Sequence, residues 1–562
     1  MGSLQSVMKR KNEKISLPSN SPKAIQNRAG GVAFEIEDAA TKLITMTGGA
    51  FFAEPRYYST IDKAETSQRI RIANNAVEDY NHTELDSVAM DIIATAVDII
   101  KSENPKDILS IANWLRNECN IRLTPQVLYV IASRFDETKP YIREYASKII
   151  KRPDEIKTCL MLHRYLFGKK CLSKPFDHGL GDVLFKVGEA SLLKYDGNTF
   201  PRWKDIMNWL SRRKNRPFRE EIADYFMDGK TTSKIPIMRD RQLLNKKSIF
   251  DKEARKLAMS SHANWEVLIS QFGNKSEIWE FLVENNLIGY MAMLRNIRNI
   301  VQSGVSDEIL SCIYNKISSK DEVIESKQFP FRFLAAHREL EVIGNDRRIN
   351  KILEAIEEAT EVAVDNCPML PGTSLVAIDT SGSMSSPLSK NSSINVIDAA
   401  CMLGGIIAKR CSDAYVWQFD TRVAEVRFTK RTTIMGLMKN INNSGGSTNT
   451  HLVIEKMRKD GIFPDRLIIL SDMQAWDSSG GWGSSGNCAD EWDIYCKIKN
   501  GKNTWLHSIN LNGYGDTPFL DPNDHLHLTS GFNESVLNSI VRAEGIVGSS
   551  SIRTVEYVRN NF

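Results

Sequence analysis

Ser374-Leu-Val-Ala-Ile-Asp-Thr-Ser-Gly-Ser-Met384 decides the fold. Leu375 to Ile378 form an apolar run long enough for a buried strand and too short for a helix. The strand delivers Asp379, Ser381 and Ser383, at every second position, into a turn whose only glycine is Gly382. A carboxylate and two small hydroxyls at the end of a buried strand are oxygen donors for a hard divalent cation, Mg2+ first and Mn2+ second. Three such groups hold an ion weakly, so further ligands should follow. Ser444-Gly-Gly-Ser-Thr-Asn-Thr450 offers Thr448, and Leu467-Ile-Ile-Leu-Ser-Asp472 is a second apolar strand ending in a carboxylate. The competing reading is an ordinary polar turn, with Asp472 as a helix cap.

Around this stretch the chain alternates. Strand 374–378 is followed by helix 394–410, strands 414–419 and 423–428, helix 448–459, strand 466–471, helix 488–498, strand 505–511 and a helix near 533–543. Such alternation predicts a doubly wound, mostly parallel sheet of Rossmann-like type. Its ligands bind at the carboxyl ends of strands, where Asp379 and Asp472 fall. Asp420 and Asp477 lie near strand ends and are candidates to support those ligands. The three motifs, in this order, resemble the metal-ion-dependent adhesion site (MIDAS) of a von Willebrand factor A domain over roughly residues 365–545. On that resemblance Asp379, Ser381 and Ser383 match the DxSxS turn, and Thr448 and Asp472 the separate threonine and aspartate.

The 562 residues suffice for several domains, with hydrophobic and charged fractions of 42% and 25% typical of globular protein. Nine cysteines, with no CxxC, suit a reducing compartment, and the nine histidines show no zinc spacing. No apolar run approaches a membrane span. A cytoplasmic protein, a monomer without membrane contact, is the expectation. The net charge of +4 hides an asymmetry: residues 151–250 hold 22 Lys/Arg against 12 Asp/Glu. A localised basic excess is what a polyanion binder carries.

Residues 1–25 read as a mobile N-terminal arm, and residues 26–364 as overwhelmingly helical. The predicted helices are 86–101, 105–118, 125–133, 140–151, 153–167, 179–194, 202–213, 219–227, 256–272, 275–284, 287–303, 307–317, 331–341 and 348–364. Helices joined by short loops without strands argue for divergent HEAT-like repeats. Residues 365–372 are the linker, 373–545 the A-type domain, and 546–562 a tail containing a strand-like run at 552–558.

Several segments of the helical half resemble the TROVE module of the Ro ribonucleoprotein autoantigen family. They are Asn27-Arg-Ala-Gly-Gly-Val-Ala-Phe34, Thr47-Gly-Gly-Ala-Phe51 with Tyr57-Tyr58, Met291-Ala-Met-Leu-Arg-Asn-Ile-Arg-Asn299 and Phe329-Pro-Phe-Arg-Phe333. Asp521-Pro-Asn-Asp524 resembles a late segment of the same family. The resemblance implies an elliptical ring of HEAT-like helices closed by the A-type domain. It also implies binding of small noncoding Y-type RNA outside and of single-stranded 3′ ends of misfolded RNA through the hole, in RNA quality control.

The residues support the RNA reading independently. Lys169, Lys170, Lys174, Arg202, Lys204, Arg212, Arg213, Lys214, Arg216 and Arg219 cluster with Trp203, Trp209 and Phe218. Cations neutralise phosphates and aromatics stack unpaired bases. The bland alternative is a solvated face over core tryptophans, and for Trp203 and Trp209 the core is favoured. Lys234, Arg239 and Arg241, with Lys246 and Lys247, form a second basic set; Arg295 and Arg298 are a third. His163 with Arg164 reads as a partly buried pair. Gly229-Lys-Thr-Thr232 lacks the glycine and the strand that a phosphate loop needs. Two carboxylates with hydroxyls are poor for hydrolysis and leave a position open to a partner's carboxylate, so a recognition site is expected rather than an enzyme. An exoribonuclease or another protein would dock there. The alternative function is a protein-binding assembly factor acting through the A-type domain.

Overall fold

The computed structural model describes the chain apart from residues 1–23, 27–31, 49–86, 103, 169–170, 197–199, 211–219, 345, 389–393, 442–444, 474–486, 499–500, 502, 513–515, 532–533 and 547–553. The expected architecture is present: a long helical half followed by an α/β domain. Helices from Ser87–Lys101 to Arg347–Ala363 pack mainly on their chain neighbours. Two apolar cores run through them, one from Ala40 to Met238 and one from Leu244 to Ala363. No described helix is long and apolar enough to cross a membrane.

Local chemistry explains where the predicted helices break. The expected helix 179–194 is two, Lys174–Phe185 and Glu189–Lys194, because Gly188 takes an extended N-cap conformation. The expected helix 256–272 is also two, Lys252–Ser260 and Trp265–Phe272. His262 sits at φ +50° and Asn264 Oδ1 accepts from Val267 N–H at 3.0 Å, so a new N-cap starts there. Pro236–Leu244, Lys320–Ser326 and Ile434–Asn440 are helices that the pattern did not disclose.

In the α/β domain the strands are β3 (Leu370–Asp379), β4 (Cys411–Phe419), β5 (Val423–Glu425), β6 (Arg466–Ser471), β7 (Trp505–Asn510) and β9 (Leu526–Ser530). Their order is β5-β4-β3-β6-β7-β9; β5 is antiparallel and the others parallel. Apolar layers cover both faces, so β6 is buried at every residue. β3 starts at Leu370, inside the stretch expected to be linker.

The sequence reading missed a second sheet. β1 (Ala24–Gln26) and β2 (Val32–Glu35) form a hairpin, and β2 also pairs with β8 (Asp516–Thr517) of the α/β domain. The first described residues are thereby stitched to the last domain. Ser535 Oγ donates to Gly48 O at 3.3 Å, and Arg542 Nη1 to Glu118 Oε1 at 2.5 Å. At the other end of the array, Arg338 Nη2 donates to Asp398 at 2.6 Å and Lys409 lies 2.7 Å from Glu361. Phe329, Phe331 and Leu334 enter the core of the α/β domain. Both ends of the helical array thus meet one domain, and the contacts close into a loop.

The described part of the strand-like run at 552–558 is helical, within Thr554–Asn561. Val555, Val558 and Phe562 recur at helical spacing and pack on the first core, with Val558 fully inside it. Burying such a side chain contributes about 1.5–3 kcal/mol. Arg559 Nε donates to Asp107 at 2.8 Å, and Tyr145 Oη to Phe562 O at 2.8 Å.

Candidate cation and nucleic-acid sites

Three segments converge at the carboxyl ends of β3 and β6. Asp379 is wholly buried as the last residue of β3, and its Oδ1 accepts from Ser381 N–H at 2.8 Å. Ser381 and Ser383 hydroxyls lie 3.2 Å apart in the turn that follows. The loop carrying Thr448 is tied to this turn by its backbone: Gly382 N–H donates to Gly446 O at 3.0 Å and Gly445 N–H to Thr380 O at 3.3 Å. A Cβ on Gly446 would come 3.1 Å from Asp420 Oδ2, so glycine permits this approach. Asn449 N–H donates to Asp420 O at 2.9 Å, and Thr448 is buried. Asp472, also buried, follows the last residue of β6.

Electrostatics set the charge this arrangement carries. Burial first, and Asp472 second, push the Asp379 carboxyl up to about 7, against hydrogen bonds from Ser471 and Ser381 that favour its ionised form. Two buried carboxylates that repel each other, with serine and threonine hydroxyls about them, fit a hard cation by the chemistry of the donor set. Among the described residues no three His, Cys, Asp or Glu side chains form a metal cluster, so any cation here depends on hydroxyl donors as well. The reading of the sequence missed Ser471, whose Oγ donates to Asp379 Oδ2 at 2.6 Å. It stands beside Asp472 in the quoted strand, and that adjacency was the available signal. Asp420 does reach this end of the sheet; its Oδ1 accepts from Arg422 N–H at 2.8 Å. Asp477 lies outside the described residues.

The basic residues divide. Lys169, Lys170, Arg212, Arg213, Lys214, Arg216 and Arg219 lie outside the described residues, as does Phe218. Lys174 and Lys204 are exposed and Arg202 is half-buried, 3.4 Å from Asp196. Lys234 is exposed but pairs with Glu221 at 2.8 Å, and Arg239 with Asp240 at 2.9 Å. Arg295 and Arg298 are exposed on one helix, Arg298 3.0 Å from Glu339. Arg241 corrects the expectation. It is 5% exposed, and its guanidinium donates to Ser261 O at 2.9 Å, because its position on Pro236–Leu244 faces inward between Met238 and Leu244. It holds a helix end and is not on an RNA-facing surface.

Of the two tryptophans, Trp203 is core, as favoured, and Trp209 only packs against it. Trp203 is wholly buried, and its Nε1–H donates to Leu192 O at 2.8 Å. Trp209 is half-buried, with Phe200 edge-on at 5.4 Å and Arg164 over its ring at 5.5 Å. His163 is buried against Phe167 and Phe176, and burial drives its imidazole down to about 4. Gly229 follows a helix, Glu220–Asp228, as expected of a segment that is no phosphate loop.

Comparison with known proteins completes the picture. The TROVE domain model matches residues 239–379, and the Ro60 vWA domain model matches residues 373–480. Telomerase protein component 1 of Mus musculus is 20% identical over 362 residues, covering 54% of this chain and 14% of that protein. Its Rattus norvegicus counterpart is 22% identical over 292 residues, covering 42% of this chain and 11% of that protein. The chain therefore spans a small part of these curated relatives. The crystal structure of the Deinococcus radiodurans Ro (RSR) protein superposes with a TM-score of 0.63, covering 90% of this chain and 100% of that one. At 16% identity, that likeness is one of fold.

Proposed function

Because this chain belongs to the proteins that join a TROVE domain to a Ro60-type vWA domain, we propose that it is the RNA-binding scaffold of a small ribonucleoprotein and not a catalyst. The observation that carries this reading is the adjacent match of the two domain models on one chain, where the two halves close into a single loop of contacts. The +10 excess of residues 151–250 supplies the attraction for phosphates. Small noncoding RNA of the Y type and 3′ ends of misfolded RNA are the ligands of this reading. Lys174, Arg202 and Lys204 would contact phosphates, and Lys169, Lys170, Arg212, Arg213, Lys214, Arg216 and Arg219 are assigned to the same role from the sequence alone. Arg295 and Arg298 offer a second contact.

In the A-type domain, Asp379, Ser381, Ser383, Thr448 and Asp472 would hold Mg2+ or Mn2+. The bound ion would supply a Lewis-acidic anchor for a carboxylate of a docking protein, an exoribonuclease among the candidates. Asp379 and Asp472 would neutralise it, and Ser471 would hold the Asp379 carboxylate in place.

The test is fluorescence anisotropy with a structured small RNA over a salt series. Arg212→Ala with Lys214→Ala should weaken binding and reduce the salt slope by about 0.7–0.9 for each phosphate no longer neutralised. Unchanged binding would move the RNA site elsewhere. Magnesium-dependent RNA cleavage that vanishes in Asp379→Ala would replace the scaffold by an enzyme.

A further inference from the structure

The helices Asp307–Ser318 and Arg347–Ala363 pack on each other and leave a groove of about 580 Å3 along their contact. Leu310 and Ile352, both buried, give it an apolar floor. Tyr314 is half-buried and packed on the second core of the array, so one wall is aromatic and fixed in place. Arg348 ties the first turns of the two helices together. Its Nη2 donates to Val305 O at 2.5 Å, and its Nε lies 3.0 Å from Asp307, which spends that carboxylate. Asp346 is spent as well, its Oδ1 accepting from Arg348 N–H at 2.7 Å and Ile349 N–H at 3.0 Å.

Two cations are left over. Arg347 and Lys351 stand one turn apart on the groove wall, both exposed. Neither side chain enters an ion pair or hydrogen bond among the described residues, and the same holds for the Asn315 amide across from them. Glu354, one turn beyond Lys351, is the remaining carboxylate of the wall and can only accept. An inorganic anion would use the two cations and nothing else. An acidic peptide would bring its carboxylates against Glu354. A phosphate carried on a hydroxyl-bearing sugar with a flat, polar-edged base uses every group present.

We propose that this groove binds a nucleoside monophosphate, free or at the end of an RNA strand. Its phosphate would lie between Arg347 and Lys351, its base on Tyr314 with an edge to Asn315, and a sugar hydroxyl would donate to Glu354. The volume falls within the range of small-molecule sites. The groove is remote in sequence from the basic stretch 151–250, and the proposal does not rest on the RNA reading. Its test is calorimetric titration of the nuclease-treated full chain with adenosine 5′-monophosphate. Inorganic phosphate, adenosine, a glutamate-rich peptide and a short 5′-phosphorylated oligoadenylate are separate arms. Saturable one-to-one binding of the nucleotide is expected, about tenfold tighter than phosphate or adenosine alone. Arg347→Gln with Lys351→Gln should weaken it about tenfold, and both side chains are exposed, so the melting temperature should not move. Tyr314→Leu should bring the nucleotide down to the level of phosphate. Displacement by the oligonucleotide would assign the ligand to a strand end, and bound nucleotide that it does not displace would assign it to the free pool. No saturable heat, undiminished binding by the double variant, phosphate binding as tightly as the nucleotide, or displacement by the peptide would each overturn it.

Discussion

Replacing Asp472 by Asn should stabilise the metal-free protein, although the substitution removes a candidate ligand. A carboxyl raised from 3.8 to about 7 on folding costs no stability below its unfolded value. The cost grows through the interval and is complete above about 7. At 1.36 kcal/mol per pH unit the full cost for Asp379 is about 4 kcal/mol. Burial is the larger cause and Asp472 the second, so relieving the repulsion returns about 1 kcal/mol. For a domain of this size that is a rise of about 2–4 °C in melting temperature. Calorimetry in chelator, above the Asp379 midpoint, should show the rise, and it should shrink as the pH falls toward the unfolded value. Added Mg2+ should raise the wild-type melting temperature and leave the variant unmoved. A variant that melts lower in chelator, or that gains as much from Mg2+ as the wild type, would refute the picture of two carboxylates awaiting a cation.

Other perturbations probe the rest of the structure. Burial would raise the Glu544 carboxyl, but hydrogen bonds from Arg466 and His507 overcome it and hold it at about 2. Its stabilisation is therefore present above the usual carboxylate value and lost as pH falls toward about 2. Glu544→Gln should cost about 3–5 kcal/mol by leaving Arg466 buried and unpaired, as denaturant titration would show. A double-mutant cycle on Arg542 and Glu118 should give a coupling of about 1 kcal/mol, and a coupling of zero would remove this contact from the closure of the loop. Arg241→Ala should lower stability by about 1–3 kcal/mol with no change in the salt slope of RNA binding. A lower slope would return Arg241 to the RNA surface.

The sequence disclosed what depends on short-range pattern. The DxSxS turn, the two apolar strands and their carboxylates are all local, and so are the long helices whose apolar residues recur every three or four positions. What it concealed depends on pairing between distant segments. Val32–Glu35 is four residues, too short to show a period, and one of its partners, Asp516–Thr517, is nearly the length of the chain away. The run at 552–558 is rich in β-branched residues, yet its buried residues follow helical spacing onto the first core, and packing overrides propensity. Arg241 looked like a surface cation because charge gives no hint of facing, and only the inward neighbours Met238 and Leu244 reveal it. Ser471 was overlooked because a hydroxyl within a buried strand gives no signal until its acceptor is known.

Whether the cation end of the sheet talks to the helical half is decided by the helix Val396–Arg410. It is pinned to the array near both ends, by Arg338 at Asp398 and by Glu361 at Lys409. Its middle sits so close to the sheet that a Cβ on Gly404 would come 2.7 Å from Ile378 Cδ1. Coupling between two sites needs an element with two discrete arrangements that both sites bias. A helix clamped at each end and pressed on β3 along its middle has room for one. Asp472→Ala should therefore abolish divalent binding and leave RNA affinity within about twofold, a difference of about 0.4 kcal/mol. Loss of RNA binding in a folded Asp472→Ala protein would mean that this helix moves, and that occupancy of the cation site is transmitted to the helical array.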